Sequence, residues 1–92
     1  MNKAICHTGK LIRDLMSICD CKQIDIARGL NKGASTVSNW INGRHTLTVD
    51  EIYNISMLFA SMEAGTTRDN IIDFVGAVRL DILERSYNGR QK

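Results

Sequence analysis

Two short stretches with helical spacing flank a tight turn in the middle of this chain, and this pattern limits the possible folds more than any other feature. In residues 23–30 the inward side is formed by Ala27 and Leu30 together with Ile24 or Ile26. Asn-Lys-Gly follows at residues 31–33. Asn and Gly tolerate a left-handed backbone best, so this tripeptide predicts a tight turn after a short helix.

The second stretch, residues 35–41, predicts another short helix that Asn42 and Gly43 end. Val37 with Trp40, or Val37 with Ile41, would anchor it from one side. The residues expected to face outward are Ser35, Thr36 and Asn39. Two short helices that cross at a large angle need a small residue at their contact, and Ala27 supplies it, so the pattern predicts a helix-turn-helix.

The segments before and after this motif also predict helices, and the chain contains no proline to interrupt them. Apolar residues recur at three- and four-residue intervals from Thr8, a plausible N-cap, to about Cys19. Thr48 and Glu51 form a capping-box pattern ahead of an apolar run that ends near Ser61. The apolar face expected for that helix consists of Val49, Ile52, Ile55 or Ser56, Phe59 and Met62.

A fifth helix is predicted over residues 68–86, with Thr66 or Thr67 as its cap. Its broad apolar stripe consists of Ile71, Phe74, Val75, Val78 and Ile82, with Ile72 and Leu83 at the flanks. We expect homodimerisation through this stripe, with some contribution from helix four. The alternative is that the helix only covers its own core. Residues 88–92 are expected to form a polar tail, which favours a complete chain.

Positive charge is concentrated in the half of the chain that contains the motif. Residues 1–48 hold seven Lys and Arg against three Asp, a net charge of +4, whereas residues 49–92 carry a net charge of −2. A surface that contacts phosphates needs such an excess of basic residues. The charge distribution therefore favours nucleic-acid binding by the first half.

Five elements follow in order without an insertion: Gln23, Ile26-Ala27, Val37-Ser38, Trp40 and Gly43. This order resembles the Cro and phage-repressor type of helix-turn-helix, the large Xre-like family. The resemblance covers roughly residues 8–62. It implies an all-α, five-helix domain like that of lambda repressor, with residues 1–65 as the DNA-binding domain and residues 66–92 as a C-terminal dimerisation helix with its tail.

The resemblance also implies roles for individual residues on double-stranded DNA. Base edges would be read by Ala34, Ser35, Thr36 and Asn39, and an amide such as that of Asn39 can pair with adenine through two hydrogen bonds. The DNA backbone would be contacted by Gln23, Lys32, Ser38, Asn42 and Arg44. The alternative interpretations are a solvated Asn39 and a Ser35 that only caps its helix. Trp40 is expected in the core rather than as a platform on which a base stacks.

The remaining residues favour no catalytic or metal chemistry. Three cysteines are an odd number and indicate free thiols in a reducing compartment rather than a disulfide framework. Cys6, His7, Cys19 and Cys21 lack the paired spacing of a zinc site, and a redox switch is the other alternative. We expect no enzyme activity, no cofactor and no metal.

The function expected from the resemblance is that of a small repressor that binds a palindromic operator as a homodimer. One alternative is the antitoxin of a toxin–antitoxin pair, which would also bind a toxin protein. The other is an activator or controller that contacts polymerase through an acidic surface such as Asp50, Glu51 and Glu63. Since the start of the chain has no export signal and no apolar run is long enough to cross a membrane, we expect a cytoplasmic, nucleoid-associated protein.

Overall fold

Helices account for the regular structure of residues 6–90, the range that the computed structural model describes, with side chains through residue 86. No β-strand occurs in this range, so the predicted all-α class is confirmed. The helices in chain order are α1 (His7–Cys19), α2 (Gln23–Leu30), α3 (Ala34–Ile41), α4 (Val49–Ser61) and α5 (Thr67–Arg90). None of them is both long enough and apolar enough to span a membrane.

The turn between α2 and α3 has the backbone that the sequence predicts. Asn31 ends α2 in the left-handed conformation with φ of 55°. The N–H of Lys32 then donates to the carbonyl of Ala27 at 2.8 Å, which satisfies a carbonyl at the end of the helix. Gly33 is the N-cap of α3, so Ser35 lies inside the helix and does not cap it.

The N-cap of α1 differs from the prediction. Cys6, and not Thr8, takes this position, and its Sγ accepts the N–H of Gly9 at 3.2 Å. Thr8 is buried in the first turn instead. The reason is a contact with α5, because the carboxylate of Asp81 binds the backbone N–H of Thr8.

The starts of α4 and α5 follow from local capping. The predicted capping box is confirmed, since Thr48 Oγ1 accepts the N–H of Glu51 at 3.2 Å and the Glu51 carboxylate accepts the N–H of Thr48 at 2.9 Å. At α5, the hydroxyl of Thr66 accepts the N–H of Asp69, which selects Thr66 over Thr67 as the capping side chain. The helix then runs past the predicted end at Ser86, so residues 88–90 are helical and not part of a tail. Residues 91–92 of the expected tail lie outside the described residues.

All five helices contribute to one core. Its largest fully buried side chains are Trp40, Phe59, Phe74, Ile12, Ile26, Ile55 and Val37. The rings of Phe59 and Phe74 stack with centroids 6.3 Å apart, which joins α4 to α5. Removing such side chains from water provides the main driving force for folding, about 1.5–3 kcal/mol for each large apolar group.

The buried face of α5 differs from the prediction. Phe74 and Val78, which we expected at a dimer surface, are buried in the chain's own core, and Ile71 is half-buried against it. The physical reason is that α5 packs along both α1 and α4, so the middle of its stripe is already covered. Val75 and Ile82, on the flank of the same stripe, remain about half exposed.

Two further apolar residues lie on the solvent side. Val49, expected on the inner face of α4, is 81% exposed, because the buried Leu47 just before the helix takes the inward position. On α2 the inward residue is Ile26, whereas Ile24 is 44% exposed. The sequence pattern left that choice open, and the crossing of α2 with α3 decides it.

Candidate nucleic-acid interface

The short helix α3 is apolar on one side and polar on the other. Val37, Trp40 and Ile41 are buried, while Ser35 is exposed and Asn39 is partly exposed. Residues four apart lie on the same side of a helix, so Ser35 and Asn39 are one turn apart on the outward face. Thr36 is partly exposed at the edge of this face, and Ala34 is exposed at the first position of the helix.

Trp40 belongs to the core and is 1% exposed. Its indole Nε1 has no hydrogen-bond partner among the described residues. A buried ring in this position cannot stack on a nucleic-acid base. Its burial attaches α3 to the core and leaves the opposite, polar face of the helix exposed.

The residues expected to contact a DNA backbone lie before and after this face in the chain, with Ser38 within α3 itself. Gln23 is exposed at the first position of α2, and Lys32 is exposed in the turn before α3. At the other end, the side-chain amide of Asn42 donates to Ser38 Oγ at 3.2 Å, so these two candidates are in direct contact. Arg44 is exposed just beyond α3, where its backbone N–H bonds to the carbonyl of Asn39 at 2.9 Å.

Helix α1 holds the C-terminal end of α3. Gly9 lies so close to the carbonyl of Ile41 that a Cβ on it would collide with that oxygen. Arg13, one turn further along α1, donates from Nη1 to the same oxygen at 3.5 Å. A guanidinium at the C-terminus of a helix also interacts favourably with the helix dipole. The end of α3 is therefore fixed by both close packing and charge.

Helix α5 reaches the same end of α3 from the other side. Arg85 donates through Nη2 to the carbonyl of Gly43 and through Nη1 to Thr46 Oγ1 at 3.1 Å. Gly43 has φ of 73°, a left-handed backbone that favours glycine. The loop between α3 and α4 is thus attached to α5 at two of its residues.

A buried carboxylate connects α5 to the start of α1. Asp81 is 8% exposed and accepts the backbone N–H of His7 at 2.6 Å and that of Thr8 at 3.0 Å. The thiol of Cys6 lies 3.8 Å from this carboxylate and 3.8 Å from the carbonyl of Trp40. Cys6 therefore stands where α1, α3 and α5 meet.

Three arginines gather around the end of α3: Arg13, Arg44 and Arg85. Sequence reasoning identified only Arg44, because Arg13 and Arg85 lie 28 and 42 residues from the carbonyls that they bind. No local pattern marks either residue, since each is placed by the packing of a distant helix. Three exposed arginines therefore lie at the C-terminal end of α3.

The cysteines have the properties of protonated thiols. Burial raises the pKa of Cys6, although the hydrogen bond from Gly9 opposes this effect. Burial also raises the pKa of Cys19 and of Cys21. All three are free and only partly buried. In the described part of the chain, no group of three or more His, Cys, Asp or Glu side chains is arranged to hold a metal ion.

Comparison of the chain with protein-family models, with curated proteins and with solved structures found no match. A function can therefore be inferred only from the geometry of α2 and α3 and from the basic residues next to α3, Lys32 and Arg44.

Proposed function

We propose that this chain is a sequence-specific DNA-binding regulator of transcription, a repressor that binds a palindromic operator as a homodimer. α2 and α3 would act as a helix-turn-helix of the lambda-repressor type, with α3 in the major groove. Ser35, Thr36 and Asn39 would read base edges, together with a contact from Ala34. Occupying an operator blocks polymerase without catalysis, a cofactor or a ligand pocket.

One observation carries the proposal: α3 is anchored on its apolar side and presents polar side chains on the other. Val37, Trp40 and Ile41 hold the helix in the core, and Ser35 and Asn39 project from the opposite face. A polar outer face is typical of any helix at a protein surface. What supports the proposal is its combination with the buried anchor on a short helix that follows α2 after the tight turn at Asn31. A reading helix needs both.

The polar and basic residues before and after α3 support the same interpretation. Gln23 and Lys32 lie before the helix, and Asn42 and Arg44 lie after it, so groups that bind phosphate flank the base-reading face. Ser38 accepts a hydrogen bond from the side chain of Asn42, and the two residues would contact the same phosphate. The left-handed Asn31 in the turn permits the short connection that a helix-turn-helix requires.

A candidate dimer surface lies between the start of α4 and the outer flank of α5. It is an apolar groove of about 310 Å³ lined by Val49, Ile52, Val75, Val78, Arg79, Ile82 and Leu83. Val49 and Leu83 are 81% and 56% exposed. Pairing this groove with that of a second copy would remove these side chains from water, and the two-fold symmetry would match a palindromic site.

Selection from a library of random duplexes tests the function. A repressor dimer should enrich a palindrome whose half-sites are about ten base pairs apart. Binding to the selected duplex should weaken steeply as salt rises but remain tighter than binding to an unrelated duplex at every salt concentration. Enrichment of no sequence, with weak binding that disappears in salt, would contradict the proposal.

Two further measurements separate the alternatives. A chain that selects a site but raises transcription of a reporter downstream of it would be an activator or controller. An antitoxin would also select a site. It would in addition bind a toxin protein, so a stable complex with the product of an adjacent toxin gene would distinguish it from a simple repressor.

A further inference from the structure

We propose that Arg85 of α5 is a positioning residue for DNA binding: it holds the loop after α3 so that Arg44 is fixed at a phosphate. This inference rests on the proposed function. It assigns a role in DNA recognition to a helix that contributes no residue to the helix-turn-helix. It also distinguishes two arginines that lie close together, one that contacts DNA and one that supports it.

The geometry carries the proposal because Arg85 binds the loop on both sides of Arg44. One terminal nitrogen donates to the carbonyl of Gly43, and the other donates to Thr46 Oγ1 at 3.1 Å. Arg44 and His45 lie between these two attachment points. A guanidinium carries N–H donors on both terminal nitrogens in a fixed planar arrangement, so a single side chain can bridge both ends of a short loop.

Backbone bonds hold the start of the loop, because the N–H groups of Gly43 and Arg44 donate to carbonyls in α3. Contacts beyond this point are fewer: His45 Nε2 lies 3.8 Å from Glu51 Oε1. Gly43 adopts a left-handed backbone, and a glycine at this position populates many conformations when it is not held. Arg44 and His45 are both exposed, and the buried anchor of the segment, Leu47, comes only at its end. Without Arg85, binding a phosphate would require the loop to be ordered at the same time, which weakens binding.

A double-mutant cycle on the selected duplex tests this role. Arg85→Gln should weaken binding by about five- to thirty-fold, the factor that corresponds to ordering about one residue. Arg44→Gln should weaken binding and reduce the slope of log K against log salt by about 0.9, as the loss of one phosphate contact does. In the Arg44→Gln background, Arg85→Gln should have less than about a two-fold further effect, because it acts through Arg44.

A direct phosphate contact by Arg85 would give a different pattern. Arg85→Gln alone would then reduce the salt slope by about 0.9, and the two losses would multiply in the double variant. Either result would overturn the positioning role. The control is Arg68→Gln, which removes an exposed arginine from the same helix about 25 Å away along its axis. It should leave both the affinity and the slope almost unchanged.

A second measurement needs no DNA. The amide of Gly43 bonds to the carbonyl of Trp40 at 3.2 Å, and that of Arg44 bonds to Asn39 at 2.9 Å. In Arg85→Gln, hydrogen exchange at these two amides should be about ten-fold faster or more, with exchange in α2 unchanged. Thr46→Val removes one of the two acceptors and should give a smaller change in the same direction.

Unchanged exchange at these two amides would overturn the proposal, whatever the DNA result. Faster exchange together with wild-type affinity would overturn it as well. In that case Arg85 would order the loop, but this order would not contribute to DNA binding. Failure of the proposed function is recognised separately, because in that case the wild-type chain itself binds no duplex selectively.

Discussion

The carboxylate of Asp81 in α5 accepts a hydrogen bond of 3.0 Å from the backbone N–H of Thr8 in the first turn of α1, 73 residues earlier in the chain. The same carboxylate binds the N–H of His7 at 2.6 Å. The first N–H groups of a helix have no partner within it, so this side chain satisfies two of them and places a negative charge at the positive end of the helix dipole. α5 is therefore joined to the start of α1 by a buried charged group.

Asp81→Ala should lower the free energy of unfolding by about 2 kcal/mol or more, because two N–H groups in a largely buried site lose their acceptor. Asp81→Asn keeps one oxygen acceptor and should lower it by about 1 kcal/mol. Unfolding in urea, followed by circular dichroism, measures both effects. Asp73→Ala, at an exposed position of the same helix, should change stability by less than about 0.5 kcal/mol. Equal effects of Asp81→Ala and Asp73→Ala would show that the contact does not stabilise the fold.

Two glycines in helices should respond to alanine in opposite directions. A Cβ at Gly9 would collide with the carbonyl of Ile41, so Gly9→Ala should destabilise the fold by about 1–3 kcal/mol. A Cβ at Gly76 would meet nothing within 4 Å, so Gly76→Ala should stabilise the fold by about 0.5–1 kcal/mol through its higher helix propensity. Thermal unfolding of both variants provides the comparison. A Gly9→Ala protein as stable as the wild type would contradict the close packing of α1 against α3.

The groove between α4 and α5 predicts where the proposed dimer could be disrupted. Leu83 lines the groove and is 56% exposed, and Leu83→Asp should shift the protein from dimer to monomer because it would place a carboxylate among the apolar side chains of the proposed interface. Ile72 on the same helix is 57% exposed but does not line the groove, so Ile72→Asp is the matched control and should remain dimeric. Sedimentation equilibrium measures both masses. If Ile72→Asp alone dissociates the dimer, the interface lies on the other flank of α5.

The thiols should be slow nucleophiles at neutral pH. Burial raises the pKa of all three cysteines, so the folded chain has less thiolate at a given pH than a free thiol has. Alkylation by iodoacetamide at pH 8 should therefore be slower than that of glutathione, and the rate should continue to rise at pH values where glutathione has levelled off. Mass spectrometry of quenched samples follows the reaction at each cysteine. A cysteine that reacts faster than glutathione would contradict its raised pKa.

The features that the sequence predicts correctly depend on neighbouring residues. Asn31 at the turn and the pairing of Thr48 with Glu51 each involve residues within a few positions, where turn and cap chemistry decides the backbone. The bounds of α2 and the buried side of α3 follow from the spacing of apolar residues in the same way. Local chemistry is thus sufficient for most of the region from α2 to α3.

The features that the sequence does not predict depend on the packing of α5. Its periodicity indicates an apolar stripe, but only the positions of α1 and α4 decide that Phe74 is buried and Val75 is not. The bonds from Arg85 to Gly43 and from Asp81 to Thr8 join residues that are far apart in the chain. No spacing rule relates such residues, so they become apparent only once the helices are placed together.

The central claim is that α3 reads base edges, and the specificity of Asn39→Ala tests it most directly. The measurement compares wild type and variant on the selected duplex and on duplexes with each single base pair changed. The wild type should lose about ten-fold or more in affinity at one adenine in each half-site, whereas Asn39→Ala should bind all four base pairs at that position about equally. If Asn39→Ala retains the full sequence preference of the wild type, Asn39 does not read DNA and the proposed orientation of α3 in the major groove is wrong.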